Sequence, residues 1–88
     1  MHESGIAERI VAVALERARE VGAARITDLH LEIGDEAGAT KEAVAFHLEA
    51  AARGTLVEGA RLHFVEATDP QALRLVWIDV EDPEDRPA

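Results

Sequence analysis

Ala24-Arg25-Ile26-Thr27-Asp28-Leu29-His30-Leu31-Glu32-Ile33 decides the fold. Leu29, Leu31 and Ile33 alternate with Asp28, His30 and Glu32, the two-residue rhythm of a strand with one face in a core and the other in water. The residues before it keep a different period. Ile6, Ile10, Val13, Ala14 and Val21 recur at three- and four-residue steps among Glu8, Arg9, Glu16, Arg19 and Glu20, which predicts an amphipathic helix over residues 5–21. Ser4 stands where a side chain can cap its first turn, and Gly22 where a left-handed residue ends it. After the strand, Gly34-Asp35-Glu36-Ala37-Gly38 has nothing to bury and reads as a loop. Thr40 can then cap a second helix, residues 40–53, that turns Ala43, Val44, His47, Leu48 and Ala51 inward and stops at Gly54. Phe46 lies off the centre of that stripe, toward a sheet edge or a partner.

Alternation returns in residues 61–66, with Leu62 and Phe64 on one side, and Thr68-Asp69-Pro70-Gln71 reads as a tight turn. In residues 73–80, Leu73 and Leu75 share one parity while Ile78 and Val80 take the other, so a bulge near Val76-Trp77 is needed if all four face one core. Trp77 and Phe64 are assigned to that core because aromatic bulk is scarce. Residues 83–88 form an acidic tail too polar to order itself. The order helix, strand, helix, strand, strand predicts an α/β (α+β) two-layer sandwich, a single domain over residues 1–82 with both helices on one face of a three-stranded sheet. The turn at residues 68–71 makes the last two strands antiparallel neighbours; the first can pair in either sense, giving a mixed sheet.

The chain has 88 residues, with 9 Lys+Arg against 18 Asp+Glu and a formal net charge of −9. That balance excludes nucleic acid as a partner, because neutralising phosphates takes clustered cations. There is no Cys, which removes disulfides, thiolate zinc sites and thiol nucleophiles. Without a basic start or a long apolar run, neither a signal peptide nor a membrane span is expected, and the protein is placed in the cytoplasm. No phosphate-binding glycine loop, nucleophile elbow or His-x-x-x-His pair is present, so nothing points to an enzyme.

The start, Met1-His2-Glu3, carries the chemistry. The α-amine of Met1, the amide nitrogen of His2 and its imidazole form adjoining five- and six-membered chelate rings, close to the planar arrangement that Ni(II) and Cu(II) favour. Bulky His2 protects Met1 from removal, and Glu3 adds an amide nitrogen and a carboxylate, either of which can close the square.

Met1-His2-Glu3 before a helix, residues 21–27 (Val-Gly-Ala-Ala-Arg-Ile-Thr), Leu-Glu-Ile-Gly at 31–34, Glu42-Ala43 with Phe46, residues 54–62 (Gly-Thr-Leu-Val-Glu-Gly-Ala-Arg-Leu), and Leu-Arg-Leu with Ile-Asp-Val in residues 73–80 together resemble the HypA family. That family supplies nickel during maturation of [NiFe]-hydrogenase and urease. The resemblance implies a metallochaperone whose Ni(II) ligands are the α-amine of Met1, the backbone nitrogens of His2 and Glu3, and the His2 imidazole. It also implies partners among the hydrogenase or urease maturation proteins, including a maturation GTPase. One departure is large. The family inserts a zinc ribbon with two Cys-x-x-Cys pairs between its last two strands, where residues 66–73 here hold only a turn, so no zinc is expected.

The other candidates are weaker. His30 and His63 fall on polar strand faces and read as solvated, while His47 reads as a hydrogen-bonded packing residue. Asp35 and Glu36 are candidate acceptors behind His2. Arg17, Arg19 and Glu20 form a charged helix face on which, by the resemblance, a maturation GTPase would dock. Two functions follow: a nickel carrier, or a metal-free module of the same fold that docks maturation partners.

Overall fold

The computed structural model describes residues 3–85. They form α1 (Glu3–Val21), β1 (Arg25–Ile33), α2 (Lys41–Ala52), β2 (Arg61–Val65), β3 (Leu73–Glu81) and one turn of 3-10 helix at Pro83–Asp85. Of the expected tail, residues 86–88 lie outside the described part.

α1 starts at Glu3, so Ser4 sits inside its first turn and does not cap it. It ends as expected. Gly22 has φ +66°, its N–H meets the Arg19 carbonyl at 3.2 Å, and the Ala23 N–H meets the Ala18 carbonyl at 3.0 Å. That nested pair satisfies carbonyls the last turn leaves open. Thr40 caps α2 by accepting the Ala43 N–H at 3.0 Å. The buried stripe of α1 is Ile6, Ala7, Ile10, Val11, Ala14 and Ala18. Val13 and Val21, expected inside, are 37% and 63% exposed. The stripe runs through Ala7, Val11, Ala14 and Ala18, at four- and three-residue steps, and small alanines allow α1 and α2 to approach closely. Both helices share one core with Ile26, Leu29, Leu31 and Ile33 of β1.

The sheet is mixed, but its order is β2-β1-β3. β1 pairs parallel with β2 and antiparallel with β3. The last two strands are therefore not neighbours, contrary to the reading of residues 68–71 as a hairpin turn. Two physical reasons place β1 between them. A parallel pair needs a crossover of a dozen or more residues, and α2 supplies it. In addition, the polar face of β1 carries buried Asp28 and Glu32, which draw cations from opposite sides: Arg61 of β2 and Arg74 of β3. Residues 66–72 need span only two strand spacings, about 10 Å, and they strap across the end of β1. The strap is bonded by Gly34 N–H to the Ala72 carbonyl at 2.8 Å and Glu36 N–H to the Pro70 carbonyl at 2.7 Å. A Cβ at Gly34 would overlap the Pro70 carbonyl, so the strap requires glycine there.

The bulge on β3 is present: His30 pairs with Trp77 and Leu31 with Leu75, skipping Val76. It brings Ile78 and Val80 against the core. The same slip turns Trp77 to the open face of the sheet, 44% exposed, which corrects its assignment to the core. Phe64 is half-buried against the core edge, with the Lys41 ammonium 5.7 Å from its ring centroid.

Candidate metal centre

Of the three residues expected to hold metal, Met1 and His2 lie outside the described residues, and Glu3 is the first residue of α1. The amides of a helix's first turn have no intrahelical acceptor, so losing the Glu3 amide proton would break no helical hydrogen bond. The partial positive charge at a helix N-terminus also favours an anionic amidate at Glu3 over its protonated form.

The fold fixes which end of the sheet this terminus occupies. Ile6 and Ile10 share a cleft with Leu73 and Arg74, and Leu73 stands opposite Ile33 at the end of β1. The first turns of α1 therefore sit at the end of the sheet that also carries the 66–72 strap and the Asp35-Glu36 turn. Asp35 opens into a polar cleft with Lys41, Glu66 and Thr68. No hydrogen bond among the described residues joins Asp35 or Glu36 to Glu3.

The largest constellation of titratable groups lies elsewhere, on the open face of the sheet. Strand register arranges it in rows: Arg61, Asp28 and Asp79; then His63, His30 and Trp77; then Glu32 and Arg74. The middle row is a stack. The His30 and His63 centroids are 4.5 Å apart with planes 12° from parallel, and those of His30 and Trp77 are 3.9 Å apart at 14°. Each imidazole is tied by Nε2 to a carboxylate, His30 to Asp79 and His63 to Asp28, both at 2.7 Å. The His30 side chain retains only 14% exposure, so it is not the solvated residue expected. His63 keeps 44%.

Asp28 is held well below the usual carboxylate range, first by the His63 hydrogen bond and then by the Thr27 hydroxyl, against desolvation by burial, with Arg61 adding a smaller lowering. Glu32 is lowered mainly by Arg74, whose Nε donates at 2.7 Å, and by the Thr68 backbone N–H. Strand parity shows Asp28, His30 and Glu32 on one face, but cross-strand register, which sequence does not display, assembles the rows. This face is a closed network of ion pairs and stacked rings. Among the described residues, no group of three or more His, Asp or Glu is disposed to hold a metal ion.

Two further expectations change. The His47 imidazole makes no hydrogen bond among the described residues and meets Phe46 edge-on at 5.3 Å. Arg17 is not simply part of a solvated face: its guanidinium donates to the Val76 carbonyl at 3.2 Å and approaches the Leu75 carbonyl at 3.5 Å, while Arg19 pairs with Glu16.

Comparison with known proteins adds the following. Residues 1–72 match the family described as "Hydrogenase/urease nickel incorporation, metallochaperone, hypA". Among curated proteins, the hydrogenase maturation factor HypA of Roseiflexus sp. strain RS-1 is 42% identical over 66 residues, covering 75% of this chain and 54% of that protein. The HypA of Chlorobaculum tepidum is 47% identical over 62 residues, 70% of this chain and 55% of that one. The alignment with HypA of Azotobacter vinelandii, 47% identical over 66 residues, spans 75% and 58%. The chain thus spans little more than half the length of these relatives. The solution structure of the Ni metallochaperone HypA from Helicobacter pylori superposes with a TM-score of 0.80 at 16% identity, covering 93% of this chain and 99% of that one, which establishes a common fold.

Proposed function

The chain belongs to the HypA family, and from that premise we propose that it carries one Ni(II) ion as cargo on its first residues for delivery during [NiFe]-hydrogenase maturation. The observation that carries this reading is the Met1-His2-Glu3 start set directly before α1, which opens at Glu3. The donors are the α-amine of Met1, the amide nitrogens of His2 and Glu3, and the His2 imidazole, an all-nitrogen set of the kind that suits Ni(II). Every donor must be neutral or deprotonated, so loading releases protons and weakens as pH falls through the ordinary imidazole range, about 6.5. The cargo is handed on unchanged, which makes the chain a carrier rather than a catalyst. Its partners are maturation proteins, with a maturation GTPase among them, and its compartment is the cytoplasm. No helix among the described residues is long and apolar enough to cross a membrane. The names of the relatives favour hydrogenase over urease as the enzyme served.

A second reading is a metal-free docking module, favoured by one observation. The chain has no Cys for a thiolate zinc site, and residues 66–72 between its last two strands form only a short strap. Calorimetric titration of untagged protein with Ni(II) separates the two. The carrier reading expects one site that His2→Ala abolishes and that the His30→Ala/His63→Ala pair leaves intact. Absence of a site in the unaltered chain would leave the docking module.

A further inference from the structure

We propose that the α1 ridge formed by Arg9, Val13, Arg17 and Val21 is a docking surface for an acidic amphipathic helix of a partner protein. The four residues recur at strict four-residue steps, so they lie along one ridge with about 6 Å between neighbours and about 12 Å between the two arginines. Cation and apolar group alternate along it. Val13 and Val21 are among the exposed large hydrophobics of the molecule, 37% and 63% accessible. The Arg9 guanidinium has no hydrogen bond or ion pair among the described residues. The Arg17 guanidinium is bonded to backbone carbonyls and, among the described residues, forms no ion pair.

Apolar depressions flank the ridge toward both ends of β3. One, of about 390 Å³, has Ile6, Ile10, Leu73 and Leu75 in its lining with Arg74 at its rim, and no carboxylate. The other, of about 370 Å³, is lined by Val76, Trp77, Ile78 and Val80 beside Val21, with Arg17 and Glu20 at its edge. On a chain of net charge −9 this cleft gathers Arg9 and Arg17, beside Arg74, which is paired with Glu32.

Charge selects the occupant. A second copy docked through the same ridge would bring its own arginines to it. A basic segment would leave Arg9 and Arg17 facing like charge. A helix whose own four-residue ridge alternates carboxylate and apolar side chains places two carboxylates about 12 Å apart, matching the arginines, and sets its apolar groups against Val13 and Val21. The ridge is independent of the nickel donors, because none of its residues supplies one.

The test uses the full chain without metal and a fluorescein-labelled synthetic helix of roughly four turns, with Glu and Leu alternating every four residues on one face. The same helix with Lys for Glu is the control. Anisotropy at low salt is expected to show saturable binding of the Glu helix, little of the Lys helix, and a loss of roughly tenfold or more in Arg9→Glu and in Val13→Asp. Both positions are exposed, so circular dichroism should show the fold unchanged. No saturable binding, equal binding of both helices, or unaltered affinity in Arg9→Glu overturns the proposal. So does preferential binding of anionic phosphatidylserine vesicles that Arg9→Glu abolishes. Nickel titration of the same variants is expected to be unchanged, so failure here leaves the nickel reading standing.

Discussion

The two faces of the β2-β1-β3 sheet are held by different physics. On the helix side, Ile26, Leu29 and Leu31 are fully buried, each contributing about 1.5–3 kcal/mol by leaving water. On the open side, Asp28 and Glu32 are nearly as inaccessible, at 6% and 5%, yet are held by arginines and imidazoles that are themselves partly in solvent. One face gains from excluding water, the other from placing charges opposite one another. The difference also bears on metal. The imidazoles of the open face are already engaged with carboxylates, whereas the Glu3 amide, in the first turn of α1, has no helical acceptor to lose.

The strongest way to break the comparison is on the helix side. Leu31→Ala should cost about 2–5 kcal/mol, read as a large fall in the urea midpoint with the slope unchanged. The open face should respond to acid. Asp28 and Glu32 titrate lower in the folded state than in the unfolded chain, so on acidification the unfolded chain takes up protons first. Their contribution is complete at neutral pH, begins to fall near the unfolded carboxylate value of about 4, and is lost as pH drops toward the depressed folded values. Urea melts between neutrality and pH 3 should show that fall, and Asp28→Asn should flatten part of it. A neutral-pH stability equal to that at pH 3 would remove the open-face account.

Helix and strand periods, the Thr40 cap, the Gly22 terminus and the bulge at Val76 were legible because each is written in residues close together in the chain. Strand order was not. Whether residues 66–72 make a hairpin or strap over β1 depends on which strand buries both its edges, a contest among segments far apart in sequence. The exposure of Trp77 followed from the same bulge that was expected, but its consequence for odd and even residues was drawn only for Ile78 and Val80. Likewise, His30 looked solvated because its polar neighbours on β1 were visible while His63 and Trp77, one strand away on either side, were not. Of the candidate site, local chelate chemistry pointed to Met1 and His2 with either donor of Glu3, the resemblance supplied the full donor set, and Glu3 is the one member the structure describes.

A smaller effect sharpens the view of the open face. His30→Ala removes the middle ring of the stack, and aromatic pairs contribute about 0.5–1.5 kcal/mol beyond area. Trp77 is the only tryptophan, so its emission should shift to longer wavelength while stability falls modestly. An unchanged spectrum would mean that the stack does not persist in solution.

The central claim is that nickel is held by the chain terminus and not by the histidines of the sheet. Adding one Gly before Met1 tests it most directly, since every side chain stays in place and only the amine moves. Nickel titration followed by absorption is expected to show one tight site with a planar d–d band in the native chain, and loss of both in the Gly-extended chain. Equal affinity and an identical spectrum in the two proteins would contradict the account and return His30, His47 and His63 to consideration.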